Sequence, residues 1–135
     1  MQKASYQNQK FLIIQSRSCL EILLKNWPVT IQTKFTLILR DVKLLQNHRN
    51  IEVTFTITTA DEKIKQIFEP KAPSIKECVE TLEKLHSAGI KTSVMIAPLL
   101  PKAEGLVKEI VGKADYVLVD RMNYHYADWV YKSAG

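Results

Sequence analysis

Ile51-Glu52-Val53-Thr54-Phe55-Thr56-Ile57-Thr58 is the stretch on which the reading of the whole chain turns. Apolar and polar residues alternate along it without a break, the period-two signature of a strand with one apolar and one polar face. The segments around it repeat with helical spacing instead, so strand and helix patterns follow each other in turn. That order favours a parallel sheet covered by helices. A strand buried by helices on both faces is apolar throughout, so the threonine face must look at solvent, at a ligand or into a wet barrel lumen. An exposed face of an antiparallel sheet gives the same pattern, and the helices between the strands speak against it.

Working outward, Cys19, Leu20, Leu23 and Leu24 fall at helical spacing within residues 16–26, and Pro28 ends that helix before an apolar strand over 29–31. A helix is predicted near 37–47, where Ile38, Val42 and Leu45 form the apolar stripe and Arg40, Asp41 and Lys43 fall largely off it. Downstream, Asp61 caps a short helix carrying Ile64, Ile67 and Phe68 that must stop before Pro70. Ser74 and Glu77 make an S-x-x-E capping box, Ile75, Cys78, Val79, Leu82 and Leu85 line one face, and Gly89 supplies the stop. Further strands are predicted over 92–97 and 116–119, with a short helix over 103–111 between them. The aromatic tail 124–131 is expected to pack on the body.

The fold expected is an α/β partial TIM-like barrel, one incomplete domain over 1–135 with about four parallel strands and outer helices. A closed eight-unit barrel needs roughly 200 residues or more. Apolar residues at 46% and charged residues at 24% are ordinary for a globular protein. No apolar run approaches the ~18 residues that cross a membrane, and no signal-peptide pattern opens the chain, so a cytoplasmic protein with free thiols at Cys19 and Cys78 is expected. The net charge of +5 permits a nucleic-acid partner without demanding one, because the basic residues are dispersed. Lys63, Lys65, Lys76 and Lys84 are read as solvated lysines on outer helix faces.

Lys34, Thr56, Pro98 and Asn123 fall at or just past the predicted ends of successive strands, where a barrel keeps its chemistry. The segments Thr33-Lys34 with Leu39-Arg40-Asp41, Phe55-Thr56-Ile57-Thr58-Thr59, Phe68-Glu69-Pro70 with Ala72-Pro73-Ser74, Ala97-Pro98-Leu99-Leu100-Pro101 and Val119-Asp120-Arg121-Met122-Asn123 share that order and spacing with a known family. In them the chain resembles the radical S-adenosylmethionine proteins of the spore photoproduct lyase type over nearly its whole length. The resemblance implies a partial barrel that holds a four-iron four-sulfur cluster and S-adenosylmethionine at the strand ends, with radical chemistry begun by reductive cleavage of that cofactor. It places Lys34 and Thr56 against the cofactor's polar end, and Pro98 and Asn123 near the adenine and the substrate.

The family holds its cluster with a C-x-x-x-C-x-x-C loop, and this sequence has none. Cys19 and Cys78 are too few and too far apart to replace three converging thiolates. The chain by itself is therefore expected not to cleave S-adenosylmethionine. Either it is a portion of a radical enzyme that keeps part of the cofactor site, or it is a non-catalytic binding module on the old scaffold. Open sheet edges suggest a homodimer, or a separate chain carrying the cluster loop, as partner. His48, His86 and His125 lack metal-site spacing, and no nucleophile elbow or phosphate loop occurs.

Overall fold

Strands β1 (Val29–Thr33), β2 (Ile51–Thr56), β3 (Lys91–Ile96) and β4 (Tyr116–Val119) lie side by side in chain order, each parallel to the next. This computed structural model describes residues 17–25, 27–121 and 124–134. Parallel neighbours cannot be joined by a hairpin, so helices carry the chain back between them. Residues 17–25 form α1. A 3₁₀ turn over Thr36–Asp41 runs into α2 (Val42–Gln46), and α3 (Glu62–Phe68) and α4 (Ile75–Ser87) follow β2. A second 3₁₀ turn, Ala103–Gly105, leads into α5 (Leu106–Ile110), and α6 (Tyr124–Ala134) follows β4. The arrangement is an α/β, four-stranded all-parallel sheet flanked by helices, consistent with the partial TIM-like barrel expected from the sequence.

The alternation of β2 sorts its side chains cleanly. Val53, Phe55 and Ile57 are fully buried in one cluster with Leu45 of α2, Cys78, Leu82 and Leu85 of α4, and Leu106 of α5. Each such side chain contributes about 1.5–3 kcal/mol by leaving water. Register extends the row, since Phe55 lies opposite Thr33 on β1 and Val94 on β3, and Val94 lies opposite Val117 on β4. The helices cover this face over β2 and β3, while Val117 on β4 stays exposed. The opposite row, Gln32, Thr54, Ser93 and Tyr116 in register, faces away from them.

The centre of that row is more buried than an open threonine face, with Thr54 4% and Ser93 0% exposed, while Gln32 and Tyr116 at its ends are exposed. The Thr54 and Ser93 hydroxyls are 2.9 Å apart, and each satisfies the other. Paired hydroxyls are buried at little cost, so the row need not be wet to be polar.

The capped helices begin where the sequence places them. Ser74 accepts from the Glu77 N–H at 3.2 Å while Glu77 Oε2 accepts from the Ser74 N–H at 2.8 Å, and Gly89 follows at φ 76. Asp61 Oδ1 accepts from Lys63 N–H at 2.8 Å and Ile64 N–H at 3.2 Å. Two readings need correction. Asp41, placed off the apolar stripe, is buried, because the 3₁₀ winding of its first half rotates it inward to Arg40 at 2.5 Å and Arg17 at 3.8 Å. Lys65, read as solvated, is also buried, because α3 packs its stem inward beside Glu69 and Cys78. The aromatic tail does pack on the body: Val130 of α6 is buried with Ile64 and Leu100, and Trp129 meets Phe68 edge to face at 5.9 Å. No helix among the described residues is long and apolar enough to cross a membrane.

Among the described residues, three carboxyl groups sit below their ordinary range. The Tyr116 hydroxyl, helped by Lys91 and Ser93, lowers Glu52; Lys102 and the α3 N-terminal N–H groups lower Asp61; and Ser74 lowers Glu77. A depressed carboxyl stabilises the fold fully above its unfolded pKa, and that contribution disappears as pH falls through the folded value. The melting temperature followed by circular dichroism is thus expected to fall with acidification only below about pH 4–5, where unfolded carboxylates begin to protonate. Glu52→Gln should make that acid limb shallower; an unchanged limb in this variant would refute the assignment.

Candidate functional site at the carboxyl ends of the strands

A parallel sheet delivers every strand's carboxyl end to the same rim, and the loops that leave it are free to carry polar groups. Lys34 lies one residue past β1, Thr56 is the last residue of β2, and Pro98 lies two residues past β3, exposed and preceded by a cis peptide bond. All three stand at that rim. Asn123, the fourth residue expected there, lies outside the described residues.

Backbone bonds tie the rim loops to one another. Leu99 N–H donates to the Asp120 carbonyl at 3.0 Å and Asp120 N–H to the Ile96 carbonyl at 3.0 Å, joining the ends of β3 and β4. Leu100 N–H donates to the Thr58 carbonyl at 3.2 Å, and the Thr59 hydroxyl to the Pro101 carbonyl at 2.7 Å, joining the ends of β2 and β3. Functional groups placed on such loops are held by the sheet instead of by their own stiffness.

Glu69 is the centre of the polar cluster. It follows the last residue of α3, where its N–H still bonds to the Lys65 carbonyl at 2.7 Å and Pro70 forbids another turn. Its Oε1 accepts from Lys34 Nζ at 2.5 Å. Its Oε2 accepts from the Thr58 hydroxyl at 3.0 Å and lies 3.8 Å from Lys65 Nζ. The three charged side chains differ in access, with Lys34 38% exposed, Glu69 13% and Lys65 3%. Only Lys34 therefore presents a charge to an incoming molecule.

Glu69 and Thr58 were not singled out from the sequence as site residues. A readable signal existed, since Lys65 and Glu69 stand four apart at the end of a helical pattern immediately before a proline, the spacing of an ion pair that closes a helix. The long-range partner, Lys34, is what no local pattern could supply.

The cluster offers one half-exposed ammonium that can pair with an anion, and among the described residues no set of thiolates converges there for an iron–sulfur cluster. An ammonium at the rim pairs with a carboxylate, and threonine hydroxyls both donate and accept. Among the described residues no three His, Cys, Asp or Glu side chains gather closely enough for a metal ion. Cys19 is exposed on α1 while Cys78 is buried in α4, and burial pushes the Cys78 thiol up against the opposing pull of the Lys65 ammonium. A neutral, enclosed thiol is a poor metal ligand.

The sequence model of the radical SAM superfamily matches residues 6–111. An uncharacterized protein of Methanocaldococcus jannaschii is 34% identical over 86 residues, which is 64% of this chain and 33% of that protein. An uncharacterized protein of Acidianus two-tailed virus is 36% identical over 72 residues, 53% of this chain and 24% of that protein. The matched segment thus spans a quarter to a third of these relatives. No solved structure matches the chain significantly.

Proposed function

From the premise that this chain belongs to the radical S-adenosylmethionine superfamily, we propose that it is a portion of an enzyme of the spore photoproduct lyase type that keeps the rim binding the cofactor's amino-acid end. The observation that carries this reading is Lys34, half exposed at the rim with its ammonium held at 2.5 Å by a mostly buried glutamate. In this reading Lys34 pairs with the ligand carboxylate and the Thr56 hydroxyl bonds to the same end or to a ribose. Pro98 and Asn123 border the adenine and the substrate. A charge-assisted contact of this kind is worth about 1.5–3 kcal/mol.

A four-iron four-sulfur cluster held by another polypeptide would supply the electron for radical chemistry on that cofactor. The residues of this chain do not fit that cluster, so a second polypeptide bearing the cysteine loop, or a homodimer covering the open sheet edges, belongs to the same proposal.

Calorimetric titration with S-adenosylmethionine tests the reading. Saturable binding is expected, with Lys34→Met weakening it several-fold, the loss of a charge-assisted hydrogen bond less the Glu69 contact that the ligand displaces. Absence of binding by the folded chain would remove the cofactor rim. After anaerobic reconstitution, iron and acid-labile sulfide are expected far below one cluster per chain; stoichiometric cluster would overturn the predicted inability of the isolated chain to cleave the cofactor.

A further inference from the structure

The two oxygens of Glu69 are held from opposite sides by partners of opposite character. Behind it, the Thr58 hydroxyl at 3.0 Å and the Lys65 ammonium at 3.8 Å share Oε2, and both groups are buried. In front, Oε1 holds only one described partner, the half-exposed Lys34 at 2.5 Å. If Lys34 leaves, Glu69 keeps a hydroxyl and an ammonium, so no buried carboxylate is orphaned. Lys34 itself reaches water or another anion at once. The contact is thus one that the fold can lose on its solvent side without losing it on the other.

We propose that Glu69 is a positioning residue that clamps Lys34 at the rim until a ligand carboxylate displaces it, a role that rests on the cofactor reading above. The clamp does two things. It keeps the lysine stem aimed along the strand ends, where an extended side chain would otherwise sample many rotamers. It also sets a threshold, because a ligand gains from Lys34 only the difference between its own carboxylate and that of Glu69. Two ammonium groups share one carboxylate in this cluster, so the arriving anion enters a site with positive charge to spare among the described side chains. Ligands without a carboxylate leave the clamp closed.

Two readouts on the whole chain separate this proposal from a scaffold role. Glu69→Gln, which preserves shape and removes the charge, should tighten S-adenosylmethionine by about three- to fivefold, the scale of a partly exposed ion pair. It should leave 5′-methylthioadenosine, which lacks the amino-acid end, unchanged. Independently, limited acetylation with acetic anhydride and peptide mass spectrometry should show Lys34 modified several-fold faster in the variant. Lys65→Met/Glu69→Gln, which removes the buried ammonium along with the carboxylate, carries both measurements if the single variant does not fold. Equal Lys34 acetylation in wild-type and folded variant chains would overturn the clamp, as would equal shifts for both nucleosides. Faster acetylation with no nucleoside binding to any chain would support the clamp and overturn the cofactor reading.

Discussion

Phe55→Ala is expected to cost about 3–5 kcal/mol, the range for deleting a buried phenylalanine ring. The residue is fully buried at the centre of β2, between Val53 and Ile57 on its own strand and level with Thr33 and Val94 on the flanking ones. Helix α4 closes over the same cluster through Cys78, Leu82 and Leu85. A sheet held on both sides and capped by a helix has little room to collapse into the void, which places the cost high in the range. Domains carry about 5–15 kcal/mol of stability in all, so this one change removes a large share of it. Urea denaturation is the measurement: the midpoint should drop steeply while the slope stays the same. Val119→Ala, at a residue 60% exposed on the edge strand, is the matched control and should stay within about 0.5 kcal/mol. Similar losses in the two variants would mean that β2 is not the centre of the core.

The second large effect concerns the charges behind the rim. Glu69→Ala is expected to cost about 3–5 kcal/mol, because it strands the buried Lys65 ammonium and leaves the Thr58 hydroxyl without its acceptor. Lys65→Met should be near neutral or stabilising, since a methionine fills the same channel without a charge to desolvate, and Glu69 keeps Lys34 and Thr58. The double variant Lys65→Met/Glu69→Ala should recover most of the loss. A double-mutant cycle from urea melts checks it, and additive effects would show that the two side chains do not interact.

The residues of β2 show why the fold was readable and part of the site was not. Strict alternation over 51–58 assigns each side chain to a face, and that assignment survives because register copies it across neighbouring strands. The capping box at Ser74 and Glu77 was equally plain, since both partners lie within four residues. Asp41 and Lys65 escaped because what makes a charge tolerable inside a protein is its partner, and the partners come partly from elsewhere in the chain. Lys34 was reachable from its place after a strand, but the 35 residues that separate it from Glu69 are bridged only once the sheet is formed. Periodicity reports neighbours along an element; it is silent about who meets across a rim.

The order β1-β2-β3-β4 also dictates how the chain can assemble as it leaves a ribosome. Each strand after β1 lies beside the one that precedes it in the chain, an order that lets units be added one at a time during synthesis. At each stage the newest strand is the reactive one, and in the described residues that strand is β4, whose Val117 and Val119 remain on the surface. Chaperone capture during translation is expected to concentrate on that exposed edge.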